Sequence, residues 1–192
     1  SVSVPREKGE TMIISEDEEY KNVKFEKIPK LRAAFSKTGT VTAANSSTIN
    51  DGASALILAS AEAVKKYSLS PIAKILSFAD AAHAPEWFTT APAKATPKAL
   101  SLANISVKEV DYFEVNEAFS VVPLVFNKIL NIDLDRVNIH GGAVSMGHPL
   151  GASGARIVTT LTNVLQTNDG HIGCASICNG GGGASSIVIE RV

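Results

Sequence analysis

Four consecutive glycines, Gly180 to Gly183, separate two apolar runs, Ile172 to Cys178 and Ser185 to Ile189. No side chain hinders a tight reversal there. A connection this short joins antiparallel neighbours, because a parallel return needs a crossover of a dozen or more residues. The chain is therefore expected to close with an antiparallel strand pair. Upstream, short apolar runs alternate with helical patterns. Ala53 to Ser60 reads as a buried strand and Ala61 to Tyr67 as a short helix. Ile72 to Ala79 reads as a strand and Pro92 to Ala103 as a helix. Val110 to Val115 alternates with period two, as a strand does. Glu117 to Leu130 reads as a helix and Arg136 to Ile139 as a short strand. Ala152 to Thr167 places Ala155, Val158, Leu161 and Leu165 on one helical face. Strands alternating with helices predict an α/β layer structure with a largely parallel sheet.

Charge and composition narrow the function. The formal net charge is −1, too small to attract nucleic acid or an anionic membrane surface. No apolar run approaches the roughly 18 residues of a membrane span. Ser1 to Lys8 lacks the apolar core of a secretory leader; Ser1 to Pro5 instead alternates like a strand. Residues 1 to 36 are charged and irregular, with Glu16 to Glu19 followed by Lys21, Lys24, Lys27 and Lys30, as in a solvated lobe edge or linker. The two cysteines, Cys174 and Cys178, would lie about 13 Å apart along one strand face, too far for a disulfide. They are expected to be free thiols, and their spacing is not that of a zinc site.

Three segments that follow strands are placed where α/β sheets put their ligands. The first is Asn116-Glu117-Ala118-Phe119. Asn is a favoured helix cap, and it is also an amide able to orient a water or donate to an oxyanion. The second runs from Gly141 to Gly154, with five glycines in fourteen residues. Within it Pro149 biases His148 towards extended backbone. A following helix start would favour the neutral imidazole, suiting a base or a hydrogen-bond donor. A phosphate-binding loop is the competing reading, although the order matches neither GxGxxG nor a Walker A motif. The third is Cys178-Asn179 followed by the four glycines. Such a Cys is often a buried small hydrophobe. Beside free backbone N–H groups its pKa can also be lowered, making it a base or nucleophile. One Asn, one His and one Cys on adjacent loops are consistent with acyl transfer at a thioester.

The three segments, in this order, resemble the thiolase family. Asn116 to Phe119 is its NEAF motif, Gly147-His148-Pro149 with Gly151 to Gly154 its GHPxGxSG motif, and Cys178-Asn179-Gly180 its CxG motif. Thr40 to Gly52 resembles the stretch that opens the family's C-terminal half, in wording closest to mitochondrial acetoacetyl-CoA thiolases. The resemblance implies an α/β C-terminal half with a mixed, mostly parallel five-stranded sheet and helices on both faces. Residues 1–36 would be the tail of the loop and CoA-binding region, and 37–192 the C-terminal domain.

It also implies a chemistry: Claisen condensation of two acetyl-CoA to acetoacetyl-CoA and CoA, and the reverse thiolysis. Cys178 would move the α-proton, His148 would activate the nucleophilic cysteine and bind a thioester oxygen, and Asn116 would hold that oxyanion hole's water. The N–H of Gly180 would donate to a second oxyanion hole. Ser47 would lie near the pantetheine arm of CoA and Phe88 in the acyl pocket, where the next position, Pro in that type, is Thr89. No obligatory cofactor is implied beyond CoA and acetyl-CoA as substrates. Carbonyls near Ala43, Ala44, Ser46 and Val144 would ligate a potassium ion. The family's nucleophilic cysteine belongs to the N-terminal half and has no counterpart here, so this chain is expected to be inactive alone. The implied partners are CoA thioesters, the missing N-terminal half and further copies in a dimer or tetramer; the implied compartment is the mitochondrion, with the cytosol as the alternative. A non-catalytic CoA-binding or interaction module is the competing reading.

Overall fold

The computed structural model describes the backbone of residues 1–192 and every side chain except that of Lys8. Strands β1 (Val2–Pro5) and β2 (Thr11–Ile14) form a separate antiparallel ribbon. Residues 15–60 are mostly irregular with short 3-10 turns, until Ser60 caps α1 (Ala61–Tyr67) by accepting from Ala63 N–H. Glu62 in its first turn and Lys65 and Lys66 in its last complement the helix dipole. Ser68, in the left-handed region, ends it.

The main sheet contains β3 (Ala73–Ala82), β4 (Tyr112–Val115), β5 (Ile172–Cys178) and β6 (Gly183–Arg191), in the order β3-β6-β5-β4. Helix α2 (Pro92–Ala103) starts on a proline, and α3 (Val121–Leu130) follows β4. A one-turn helix α4 (Ala143–Met146) and the long α5 (Ser153–Thr167) complete the set.

The mixed α/β architecture is the expected one, and β5 and β6 form the antiparallel pair that the glycine connection requires. The sheet itself departs from expectation. It has four strands rather than five, and only β4 and β5 run parallel. Two of the expected strands are absent. Ala53 to Ser60 pairs with nothing, and Ile57 and Leu58 are 96% and 74% exposed. Arg136 to Ile139 shrinks to a single bridge from Val137 to Phe113, because the chain turns left-handed at Asn138.

The strand period of two sends successive side chains to opposite faces, and both faces are covered. Phe113, Cys174 and Val188 pack with Leu100, Val122 and Phe126 on the side of α2 and α3. Ala175 and Ile189 pack with Ile157, Leu161 and Leu165 of α5 on the other side. The buried stripe of α5 is Ile157, Leu161, Val164 and Leu165, so Ala155 and Val158 flank it at half-burial. Because β4 and β5 are parallel, Asn116 and Cys178 emerge at the same edge of the sheet.

Candidate active site

Asn116 directly follows β4, and its N–H donates to the Ser176 carbonyl at 2.9 Å, extending the ladder by one residue. It does not cap a helix: α3 begins five residues later. Its side chain is fully buried, and its Nδ2 lies 3.2 Å from His148 Nε2. His148 is also buried, and its Nδ1 lies 2.6 Å from the Ser153 hydroxyl, which donates to the Pro149 carbonyl. The backbone of His148 is extended, as the following proline predicts: it forms a parallel bridge with Ile49 and donates to the Thr48 carbonyl at 2.9 Å.

The imidazole is held below its ordinary pKa. Burial is the larger cause and the nearby Arg156 guanidinium the second. The direction agrees with the sequence reading, and the ring touches Ser153, the first residue of α5.

The segment before Ile49 stitches two loops together. Ser47 donates to the Ala118 carbonyl through both its N–H (3.1 Å) and its hydroxyl (3.0 Å). Ser120 N–H donates to the Asn45 carbonyl at 2.9 Å. Ser47 is thus at the site but faces the NEAF loop. Glu117 ties that loop to the histidine loop, accepting from Asn138 Nδ2 at 3.0 Å and from Val144 N–H at 3.1 Å. Gly147 has φ +91°, and a Cβ there would collide with the Asn50 side chain, so both backbone and space call for glycine.

Asn138, which the sequence reading did not single out, stands in for the missing strand beside β4. Its Oδ1 accepts from Val115 N–H at 2.7 Å and its Nδ2 donates to Val115 C=O at 2.8 Å. One side chain so satisfies both backbone groups of an edge residue. Arg156 and Glu114 were missed as well; they form a buried ion pair at 3.0 Å behind Asn116. The only signal was a Glu in a strand that otherwise reads as core.

Cys178 ends β5, half-buried. Burial pushes its thiol up to about 11, against a smaller opposing pull from a backbone N–H. The lowered pKa anticipated from the neighbouring glycines is therefore reversed, since desolvation outweighs the donors. Cys174 is fully buried and pushed up to about 12 for the same reason. Both thiols are free. In the turn that follows, Asn179 accepts from three residues: Gly181 and Gly183 N–H on its side chain, and Gly182 N–H on its carbonyl. Among the described residues the N–H of Gly180 has no acceptor, and nothing crowds its Cα.

Phe88 is half-buried and meets Phe119 edge-on at 6.2 Å; Phe35 also meets Phe119 edge-on, at 5.5 Å. Among the described residues no hydrogen bond from outside their own turns reaches the carbonyl oxygens of Ala43, Ala44, Ser46 and Val144, and carbonyl oxygens are the donors an alkali cation takes.

A buried Asn–His pair, a thiol at the same sheet edge and an unsatisfied N–H make up the geometry. Comparison with known proteins identifies it. The family model for the thiolase C-terminal domain matches residues 69–191, and that for the thiolase N-terminal domain matches residues 1–62. The chain belongs to the thiolase family. An acetyl-CoA acetyltransferase of Schizosaccharomyces pombe is 57% identical over all of this chain and 49% of its own length. A mitochondrial acetyl-CoA acetyltransferase of Danio rerio is 56% identical over 99% of this chain and 45% of its own. A cytosolic one of Gibberella zeae is 50% identical over 100% and 48%.

Among solved structures, the Acat5 thiolase of Ascaris suum in complex with coenzyme A superposes with a TM-score of 0.85 at 49% identity. It covers 93% of this chain and 47% of that one. The Bacillus anthracis acetyl-CoA acetyltransferase superposes at 0.92 and 36% identity, covering 99% and 48%. This thiolase chain spans about half the length of the curated relatives it matches. Among its described residues no helix is long and apolar enough to cross a membrane.

Proposed function

We propose that this chain is the C-terminal part of an acetyl-CoA C-acetyltransferase, which condenses two acetyl-CoA to acetoacetyl-CoA and CoA and catalyses the reverse thiolysis. The observation that carries this reading is the buried contact of Asn116 Nδ2 with His148 Nε2 at 3.2 Å. It joins two loops far apart in sequence at the edge from which Cys178 emerges.

In condensation, His148 takes the thiol proton of a nucleophilic cysteine supplied by the other half; that thiolate takes the acetyl group of acetyl-CoA, and the CoA sulfur leaves with the proton from His148. Cys178 then removes the α-proton of a second acetyl-CoA. The resulting carbanion attacks the acetyl-enzyme carbonyl, and the enzyme thiolate leaves. In thiolysis the proton returns from Cys178, for which a thiol protonated at neutral pH is the required form. Gly180 N–H, without an internal acceptor, donates to one developing oxyanion. Asn116 with its water, together with His148, serves the other. Ser47 lies towards the pantetheine arm of CoA, and Phe88 with Phe119 lines the acyl pocket. Potassium would be held by the carbonyls of Ala43, Ala44, Ser46 and Val144, steadying the loops without taking part in bond making.

The chain supplies no nucleophile. Its two cysteines are Cys178 and the buried Cys174, and without a third thiol no acyl-enzyme forms. Its partners are the N-terminal half, CoA thioesters and further copies of the same protein. The compartment is the mitochondrion, as for the Danio rerio relative; the cytosolic relative marks the alternative. The lack of a nucleophile also favours a second reading, a CoA-binding module without catalysis.

Thiolysis of acetoacetyl-CoA, followed as loss of substrate absorbance, separates the two. The chain alone is expected to show background rates, and addition of a thiolase N-terminal half in trans to restore turnover that His148→Ala and Cys178→Ala abolish. Complementation that is indifferent to both substitutions would overturn the enzymatic reading. Turnover by the chain alone, lost in Cys174→Ala, would overturn the claim that the nucleophile is elsewhere.

A further inference from the structure

Behind Asn116 and His148 lies a pair of charges that the proposed chemistry does not use. Glu114 is on β4 and 1% exposed, on the face covered by α5. Arg156 is in the first turn of α5, with 20% of its side chain exposed. Its Nη1 donates to Glu114 Oε1 at 3.0 Å and lies 3.4 Å from Thr160 Oγ1, while its Nη2 lies 3.4 Å from Asn116 Oδ1. A buried ion pair is a poor way to stabilise a fold, since apolar residues of similar volume do as well or better. Its placement suggests another use.

We infer that Arg156, anchored by Glu114, is a positioning residue that fixes the amide of Asn116 and thereby the tautomer of His148; this rests on the acetyl-transfer reading for its purpose but not for its test.

A guanidinium only donates, so the Asn116 oxygen must face Arg156 and its NH2 must face His148. Opposed by that donor, His148 Nε2 has to be the bare nitrogen. The other ring nitrogen gives the same answer independently. Ser153 gives its hydroxyl hydrogen to the Pro149 carbonyl, so it accepts from His148 Nδ1–H. The two constraints leave one neutral tautomer, with its lone pair at Nε2. With Arg156 absent, the amide of Asn116 is free to flip, and its oxygen would then stabilise the opposite tautomer. The cation also opposes protonation of the ring, in line with the depressed pKa of His148.

The test is the ring nitrogen spectrum of His148 in the 192-residue chain, by two-bond proton–nitrogen correlation at a pH where the ring is neutral. The unmodified chain is expected to show Nδ1 protonated and Nε2 bare. Arg156→Lys keeps a cation for Glu114 but loses the fork that also reaches Asn116. It is expected to retain the fold while the minor tautomer rises about fivefold, the effect of losing one ordinary hydrogen bond. Should Arg156→Lys fail to fold, the double variant Glu114→Gln with Arg156→Met removes both charges together and carries the same expectation.

An unchanged single tautomer in the folded variant, or an Nε2-protonated ring in the unmodified chain, would overturn the inference. No substrate is involved, so a tautomer shift with no complemented turnover leaves the inference standing and sinks only the enzymatic reading. Complemented turnover with an unmoved tautomer does the reverse.

Discussion

The carboxylate of Glu117 occupies the space that a side chain on Gly142 would need. Gly142 has an ordinary extended backbone, φ −155°, so the demand for glycine here is one of room rather than of conformation. Gly142→Ala is expected to push Glu117 off Asn138 and Val144 and to cost about 1–3 kcal/mol, the usual range for overpacking. Chemical denaturation measures the loss, and the ring signals of His148 should move with it. An unchanged midpoint would show that the carboxylate has somewhere else to go.

Glu114 makes stability depend on pH in an unusual direction. Burial pushes its carboxyl up to about 7, although Arg156 pulls the other way. A group that binds its proton more tightly when folded contributes stability that is complete below its unfolded pKa, about 4.5. That contribution is lost as pH rises through about 7. Glu114→Gln is therefore expected to flatten the fall in stability between these limits. Melting curves at several pH values check it; parallel curves for the two proteins would refute it.

Thiol chemistry should separate the two cysteines. With a pKa of about 11, Cys178 is about one-thousandth thiolate at pH 8, by the tenfold change in ratio per pH unit. Its alkylation by iodoacetamide should therefore climb about tenfold per pH unit through this range. Cys174, fully buried, should react only on unfolding. Mass spectrometry of peptides after timed alkylation reads both rates. Fast labelling of Cys178 at pH 7 would mean that the glycine-turn donors prevail over burial.

The face of the sheet covered by α5 is incompletely closed. Ile75 and Phe78 of β3 are 43% and 72% exposed on that side, in addition to the bare run at Ile57 and Leu58. Large apolar side chains left bare in this way favour association. Light scattering of the purified chain is expected to show species larger than one chain, growing with concentration, and the added N-terminal half should suppress them. A monodisperse monomer at all concentrations would contradict this.

How much of this was legible in the sequence depended on whether the cause was local. Pro92 and Asn104 bound α2 where its pattern says they should, and the glycine turn dictated the β5–β6 pair. Ala53 to Ser60 failed for a non-local reason: an apolar run states a need for cover, not its source, and nothing within these residues provides it. The extra strand expected at Arg136 failed because a side chain, that of Asn138, does the pairing that a backbone would. At the site, Asn116, His148 and Cys178 were visible as residues that their neighbours made odd. Arg156 and Glu114 were not, because a helix Arg and a strand Glu look ordinary until the sheet brings them together.

The stitching of residues 45–49 between the two loops has a kinematic consequence. Asn45 and Ser47 are fastened to the NEAF loop and Thr48 to the histidine loop, so the two loops share one splint. In the proposed reaction a visiting acyl group would meet Asn116 and His148 already side by side, the entropy of bringing them together having been spent during folding rather than on each encounter.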